Sequence, residues 1–127
     1  MIHNIYNIPI FDFTLNLIQL QGQETLQEIN EKLDDFDIKG EERIFINPEL
    51  VDGGHTLTNE RQKTIVVFFH GFTSEEERIK TYGHEKRHIV DRLCLSLNIQ
   101  DLESAALLSG YIEQIFYIHF DKSIKNQ

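Results

Sequence analysis

The sequence predicts an α+β fold in one domain, residues 1–127: a small mixed sheet of three or four strands packed by an amphipathic helix, a long capped helix and a buried C-terminal helix. Three patterns predict it. Ile8 to Leu20 alternates, with Phe11, Phe13, Leu15 and Leu17 on one side and Asp12, Thr14 and Asn16 on the other, as a half-buried strand does. Leu26, Ile29, Leu33 and Phe36 recur at helical spacing among Glu24, Glu28, Glu31 and Lys32. Thr64 to Phe69 (TIVVFF) is a nearly unbroken β-branched and aromatic run, expected of a strand covered on both faces.

In chain order, the strand Ile8 to Leu20 leads into the helix that starts at Leu26 and is closed by Gly40. Arg43 to Asn47 (RIFIN) reads as a short strand. The connection Pro48 to Lys63 is longer than a plain hairpin needs, and its Asp52, Gly53, Gly54, His55 and Thr56 either rim a cleft or lie in solvent without a role. After Thr64 to Phe69, Ser74 followed by Glu75, Glu76 and Glu77 makes a capping box with acids at the positive end of a helix dipole. Ile79, Tyr82, Val90, Leu93 and Leu97 form the stripe expected to pack on the sheet, which leaves His84, His88 and Asp91 on the opposite side. Asn98 reads as the stop and Asp101 as the cap of a last helix from about Leu102 to Phe120. That helix is apolar almost all round, which predicts burial, and Ser109 and Gly110 predict close approach to a neighbour.

Composition excludes several classes. The 26% charged fraction is that of an ordinary globule, and no run of eighteen apolar residues suits a membrane span. The first twenty residues lack a basic start and are interrupted by Asp12 and Asn16, which argues against a secretory signal and for a cytoplasmic location. A net charge of −9 without a basic stripe argues against a nucleic-acid partner. Cys94 stands alone among Leu93, Leu95 and Leu97, so it forms no internal disulfide and reads as a core residue.

Chemistry concentrates in His84, Glu85, Lys86, Arg87 and His88, an HExxH run on the capped helix. Residues four apart on a helix share a face, so both imidazoles can converge on one metal ion with Glu85 beside it as general base. A catalytic zinc takes three protein ligands and keeps one position open. Glu103, in the first turn of the next helix, is the strongest third candidate; Asp91 faces sideways and serves better as a partner to a ligand histidine. In an ideal antiparallel hairpin the residue level with His88 is near Tyr111, so Glu103 falls roughly 10 Å too far along and Glu113 is the alternative. His3, His55, His70 and His119 read as ordinary surface or loop residues, although His70, before Gly71 at a strand end, has a route into a cleft.

With Ile65 to Phe69, His84 to His88 and Glu103 to Tyr111 (ESAALLSGY), the last half of the chain resembles small zincin-like proteins of phages and mobile elements, of the gluzincin type. The resemblance implies a zinc metallopeptidase, a hydrolase with His84, His88 and Glu103 on Zn²⁺, Glu85 as base, and the strand Thr64 to Phe69 flanking a peptide or protein substrate. Nearness in sequence to the metal helix makes Tyr111, and less well His119, the candidate to assist the oxyanion. Lys86 and Arg87 depart from the small or apolar residues often found inside this motif, and the chain lacks a second subdomain to deepen the cleft. A catalytically silent metal-binding structural or assembly protein and a metal-free interaction domain are therefore the alternatives. Fe²⁺, Co²⁺ or Mn²⁺ also suits two imidazoles and a carboxylate, and the oligomeric state is not legible.

Overall fold

The computed structural model describes residues 1–8, 12–38 and 46–125. Its elements are β1 (Ile2–Ile8), β2 (Phe13–Gln19), α1 (Leu26–Asp35), β3 (Gly54–Asn59), β4 (Thr64–Phe69), α2 (Glu75–Leu97) and α3 (Leu102–Lys125). The strands form one mixed sheet in the order β1-β2-β4-β3, with β2 and β4 parallel at the centre and antiparallel strands at both edges. This is the expected α+β class.

Hydrophobic burial explains the three layers. One sheet face carries Phe13, Leu15, Leu17, Ile65, Val67 and Phe69 and packs against α2 and α3 through Tyr82, Ile89, Leu93, Ile112 and Phe116. The other face carries Ile18, Leu20, Leu57, Val66 and Phe68 and is covered by Ile29 and Leu33 of α1. β2 is thus buried on both faces, where alternation predicted one. Of its buried polar residues, Asn16 is tolerated because its side-chain oxygen meets Nε2 of His3 at 2.8 Å, which satisfies a group that is costly to bury alone.

Two strands escape the sequence reading. β1 is an edge strand whose residues are mostly half-buried and show no clean period of two; it ends at Ile8 and pairs antiparallel with β2 from Phe13, where one strand was expected from Ile8. β3 lies inside the supposed long connection: GHTLTN buries only Leu57 deeply, so its hydrophobic signal is one residue. The expected strand Arg43 to Asn47 lies mostly outside the described residues; Ile46 and Asn47, which are described, are not strand.

The caps fall where local chemistry demands. Ser74 accepts from the Glu77 N–H, Thr25 from the Glu28 N–H, and Asp101 from the Ser104 N–H at 2.8 Å. Asn98 ends α2 in the left-handed conformation at φ 54°, which asparagine tolerates better than most residues. α3 buries one face only, through Leu108, Ile112, Ile115, Phe116 and His119, while Leu102 is 88% and Leu107 69% exposed, so near-uniform apolarity overstated its burial. A Cβ on Gly110 meets nothing within 4 Å, so no close helix approach explains that glycine. No helix among the described residues is long and apolar enough to cross a membrane.

Candidate metal centre

α2 runs back over the sheet beside the edge strand β3, and residue spacing along it decides which groups meet that edge. Tyr82, Ile89 and Leu93 enter the core, while Glu85, one turn from Tyr82 and Ile89, reaches the border of the sheet and is only 2% exposed. His84 and His88 flank it from the exposed side. Their Nε2 atoms stand 3.1 Å apart, with the rings at 82° to one another. Two nitrogens on one tetrahedral zinc, each at about 2.0–2.1 Å, are separated by roughly 3.3 Å, so this pair fits a shared ion. The ligand atoms of His84, Glu85 and His88 all lie within 4.8 Å of one another.

β3 supplies what holds Glu85. The Thr56 hydroxyl donates to Glu85 Oε2 at 3.0 Å, and Gly54 leaves room for the glutamate stem: a Cβ there lies 3.1 Å from Glu85 Cγ and 3.0 Å from the Phe68 carbonyl oxygen. A cavity of about 280 Å³ opens between Gly54, His55, Thr56, His84, Glu85 and His88, and Arg92 also lines it.

The residues expected from α3 lie elsewhere. Glu103 is exposed in the first turn of α3 and is not one of the clustered group. His88 is nine residues, about 13 Å of helix rise, back along α2 from Leu97, where the turn into α3 begins. Glu113 pairs with Lys86 at 3.8 Å, and Asp91 pairs with Arg87 at 3.2 Å on the α2 surface. The Tyr111 hydroxyl donates to the Asn7 carbonyl oxygen at 3.3 Å, at the β1 edge. β1 and β3 are opposite edges of a four-stranded sheet, about 14 Å apart, so Tyr111 is turned away from the cluster. His119 is also on that side: it is fully buried, Nδ1 meets Asn4 Nδ2 at 2.8 Å, and burial pushes its pKa down to about 4. The strand beside the cluster is β3, whereas β4, the flanking strand implied by the resemblance, is central.

Sequence reasoning underweighted four residues. Gly54, His55 and Thr56 were visible as part of a GGHT step in a long connection, but their value depends on β3 being a strand. His70 is 2% exposed and therefore no surface residue; burial pushes its pKa down to about 4. Cys94 is half-buried against the core, with its thiol pushed up first by burial and then by Asp91 and Asp101, which leaves it a packing residue.

A scan of protein families, a search of curated proteins and a search of solved structures each find no match to this chain.

Proposed function

We propose that the chain is a metal-dependent peptidase in which His84 and His88 hold Zn²⁺ and Glu85 is the general base. One observation carries the reading: a buried, hydroxyl-bonded glutamate lies within 4.8 Å of two exposed imidazoles whose nitrogens are spaced for one ion. A bound zinc supplies Lewis acidity, polarising a carbonyl and making water easier to deprotonate. Glu85 takes the proton and passes it to the leaving amine, and the Thr56 hydroxyl keeps its carboxylate aimed.

Strand β3 supports a peptide as substrate. Among the described residues it has no neighbour on its outer side, so its free backbone groups can pair with an extended chain lying along the cavity. With Tyr111 bonded to Asn7, the cationic group available to a developing oxyanion is Arg92, which lines the cavity. Glu103 as third ligand belongs to the gluzincin-type arrangement; its distance along the α2–α3 hairpin instead favours a two-histidine site completed by water and substrate.

That same distance favours a second reading, a metal-binding protein without peptidase activity. Turnover of a broad peptide library by the zinc-loaded parent and its Glu85→Gln variant separates the two. Cleavage by the parent and its loss in the variant are expected; equal behaviour with zinc bound to both removes the peptidase.

A further inference from the structure

The two parallel strands end level with one another, Gln19 of β2 opposite Phe69 of β4. From there the chain leaves to opposite faces of the sheet, β2 into α1 on one side and β4 into α2 on the other. Divergence of that kind opens a crevice beyond the carboxyl ends of the strands. A cavity of about 800 Å³ lies there, lined by Gln19 and Phe72 at or just past the strand ends, Ser74 and Arg78 at the start of α2, and Phe120 and Ser123 on α3. The Gln19 amide ties the strand ends together, donating to the Leu20 and His70 carbonyl oxygens at 3.1 Å. This cavity shares no lining residue with the one at His84, Glu85 and His88.

Arg78 points to an occupant. It is only 6% exposed, yet its Nη1 is buried without a hydrogen-bond partner among the described residues. Nη2 donates to Oε1 of Glu75 at 3.3 Å, but that side chain is 78% exposed, so solvent screens the pair and it offsets little of the guanidinium's burial. The guanidinium lies 3.6 Å from the centre of the Phe120 ring, which holds it at the cavity wall, and 5.3 Å from that of Tyr82. Tyr82 brings no negative charge: burial, opposed by Arg78, pushes its phenol up to about 12. A buried cation with a free donor is a costly arrangement that an anion corrects. The cavity also meets the positive end of the 23-residue helix α2, where Ser74 accepts from the Glu77 N–H.

Charge limits what fits. Glu75, Glu76 and Glu77 already occupy the first turn of α2, so a dianion such as phosphate meets repulsion that a single carboxylate largely escapes. Phe72 and Phe120 suit a flat, apolar body behind that carboxylate. We propose that this cavity binds a small organic monocarboxylate with an aromatic or apolar body, its carboxylate held by Arg78 at the start of α2. The site stands apart from metal binding and peptidase activity at His84, Glu85 and His88.

The test is calorimetric titration of the full chain with benzoate, with its uncharged counterpart benzamide, and with inorganic phosphate. Benzoate is expected to bind at one site, and benzamide and phosphate each about tenfold more weakly or worse. Arg78→Gln is expected to weaken benzoate binding by about tenfold or more. Because Arg78 is buried and its loss can disturb the fold, exposed Glu75 supplies a second comparison. Glu75→Gln frees Nη2 and is expected to tighten benzoate binding by about threefold, while Glu76→Gln, equal in charge but not on the cavity wall, changes it less. Benzamide matching benzoate, a folded Arg78→Gln binding like the parent, Glu75→Gln behaving as Glu76→Gln does, or no benzoate binding at all each overturns the site. Phosphate binding more tightly than benzoate overturns the carboxylate as its ligand.

Discussion

The Thr56 hydroxyl of an edge strand donates to Oε2 of Glu85 on a helix, 29 residues later in the chain, at 3.0 Å. Removing a donor from a buried carboxylate costs more than the bond itself contributes, because the acceptor is left without that partner. Thr56→Val is therefore expected to destabilise the fold by about 1–3 kcal/mol in chemical denaturation, and Thr56→Ser to recover most of the loss. A Thr56→Val protein as stable as the parent shows that Glu85 finds another partner.

Glycines divide by surroundings. At Gly54 a Cβ meets the Phe68 carbonyl and the Glu85 stem at 3.0 and 3.1 Å, so Gly54→Ala is expected to cost about 1–3 kcal/mol through overpacking and to displace Glu85. At Gly83, exposed within α2 beside His84, a Cβ meets nothing within 4 Å. Gly83→Ala is expected to stabilise by about 0.5–1 kcal/mol, since glycine in a helix interior loses backbone freedom without return. Thermal denaturation of the two single variants gives opposite signs.

Stability is expected to fall in mild acid. His119 is buried neutral, chiefly by desolvation, with Lys122 on α3 and His3 on β1 adding repulsion to its charged form. Its folded pKa of about 4 lies below the unfolded value of 6.5. Between these values the unfolded chain binds more protons, so stability rises with pH across the window and this contribution is level above it. The loss on going from pH 7 to pH 4 is of order 2–3 kcal/mol for this residue. His119→Gln is expected to lower stability at pH 7 but to flatten its slope between pH 4 and 6.5; an unchanged slope assigns the acid sensitivity elsewhere.

Metal binding at exposed residues is expected to separate from folding. His84 and His88 are exposed and outside the hydrophobic core, so His84→Ala changes the stability of the metal-free protein by no more than about 0.5 kcal/mol. Zinc at a hundredfold excess over its dissociation constant adds about 2.7 kcal/mol to a single-site protein that binds only when folded. Melting curves with and without Zn²⁺ are expected to show this shift in the parent and a reduced one in His84→Ala.

Groups acting through near neighbours were readable from sequence. Ser74 with Glu77, Asp101 with Ser104, and Asn98 at a helix end act over four residues or fewer, and His84 to His88 is one helical turn. TIVVFF declared itself because both faces of β4 are covered and nearly every residue reports burial. Glu85 entered as a base by its place in the motif, but nothing local revealed that it is buried or what orients it.

What the sequence by itself determined is therefore a capped helix presenting two imidazoles and a glutamate in a mixed α+β domain. Only tertiary structure decided their company. β3 is too polar to announce itself as a strand, yet its pairing with β4 brings Gly54 and Thr56 to Glu85 and sets His55 against His70. α3 follows α2 in the chain and packs against it, but its Tyr111 and His119 bind to β1, across the sheet from the cluster. Helical period and capping are short-range properties of the chain, whereas strand order and register arise from the burial of two opposed hydrophobic faces, which no local segment encodes.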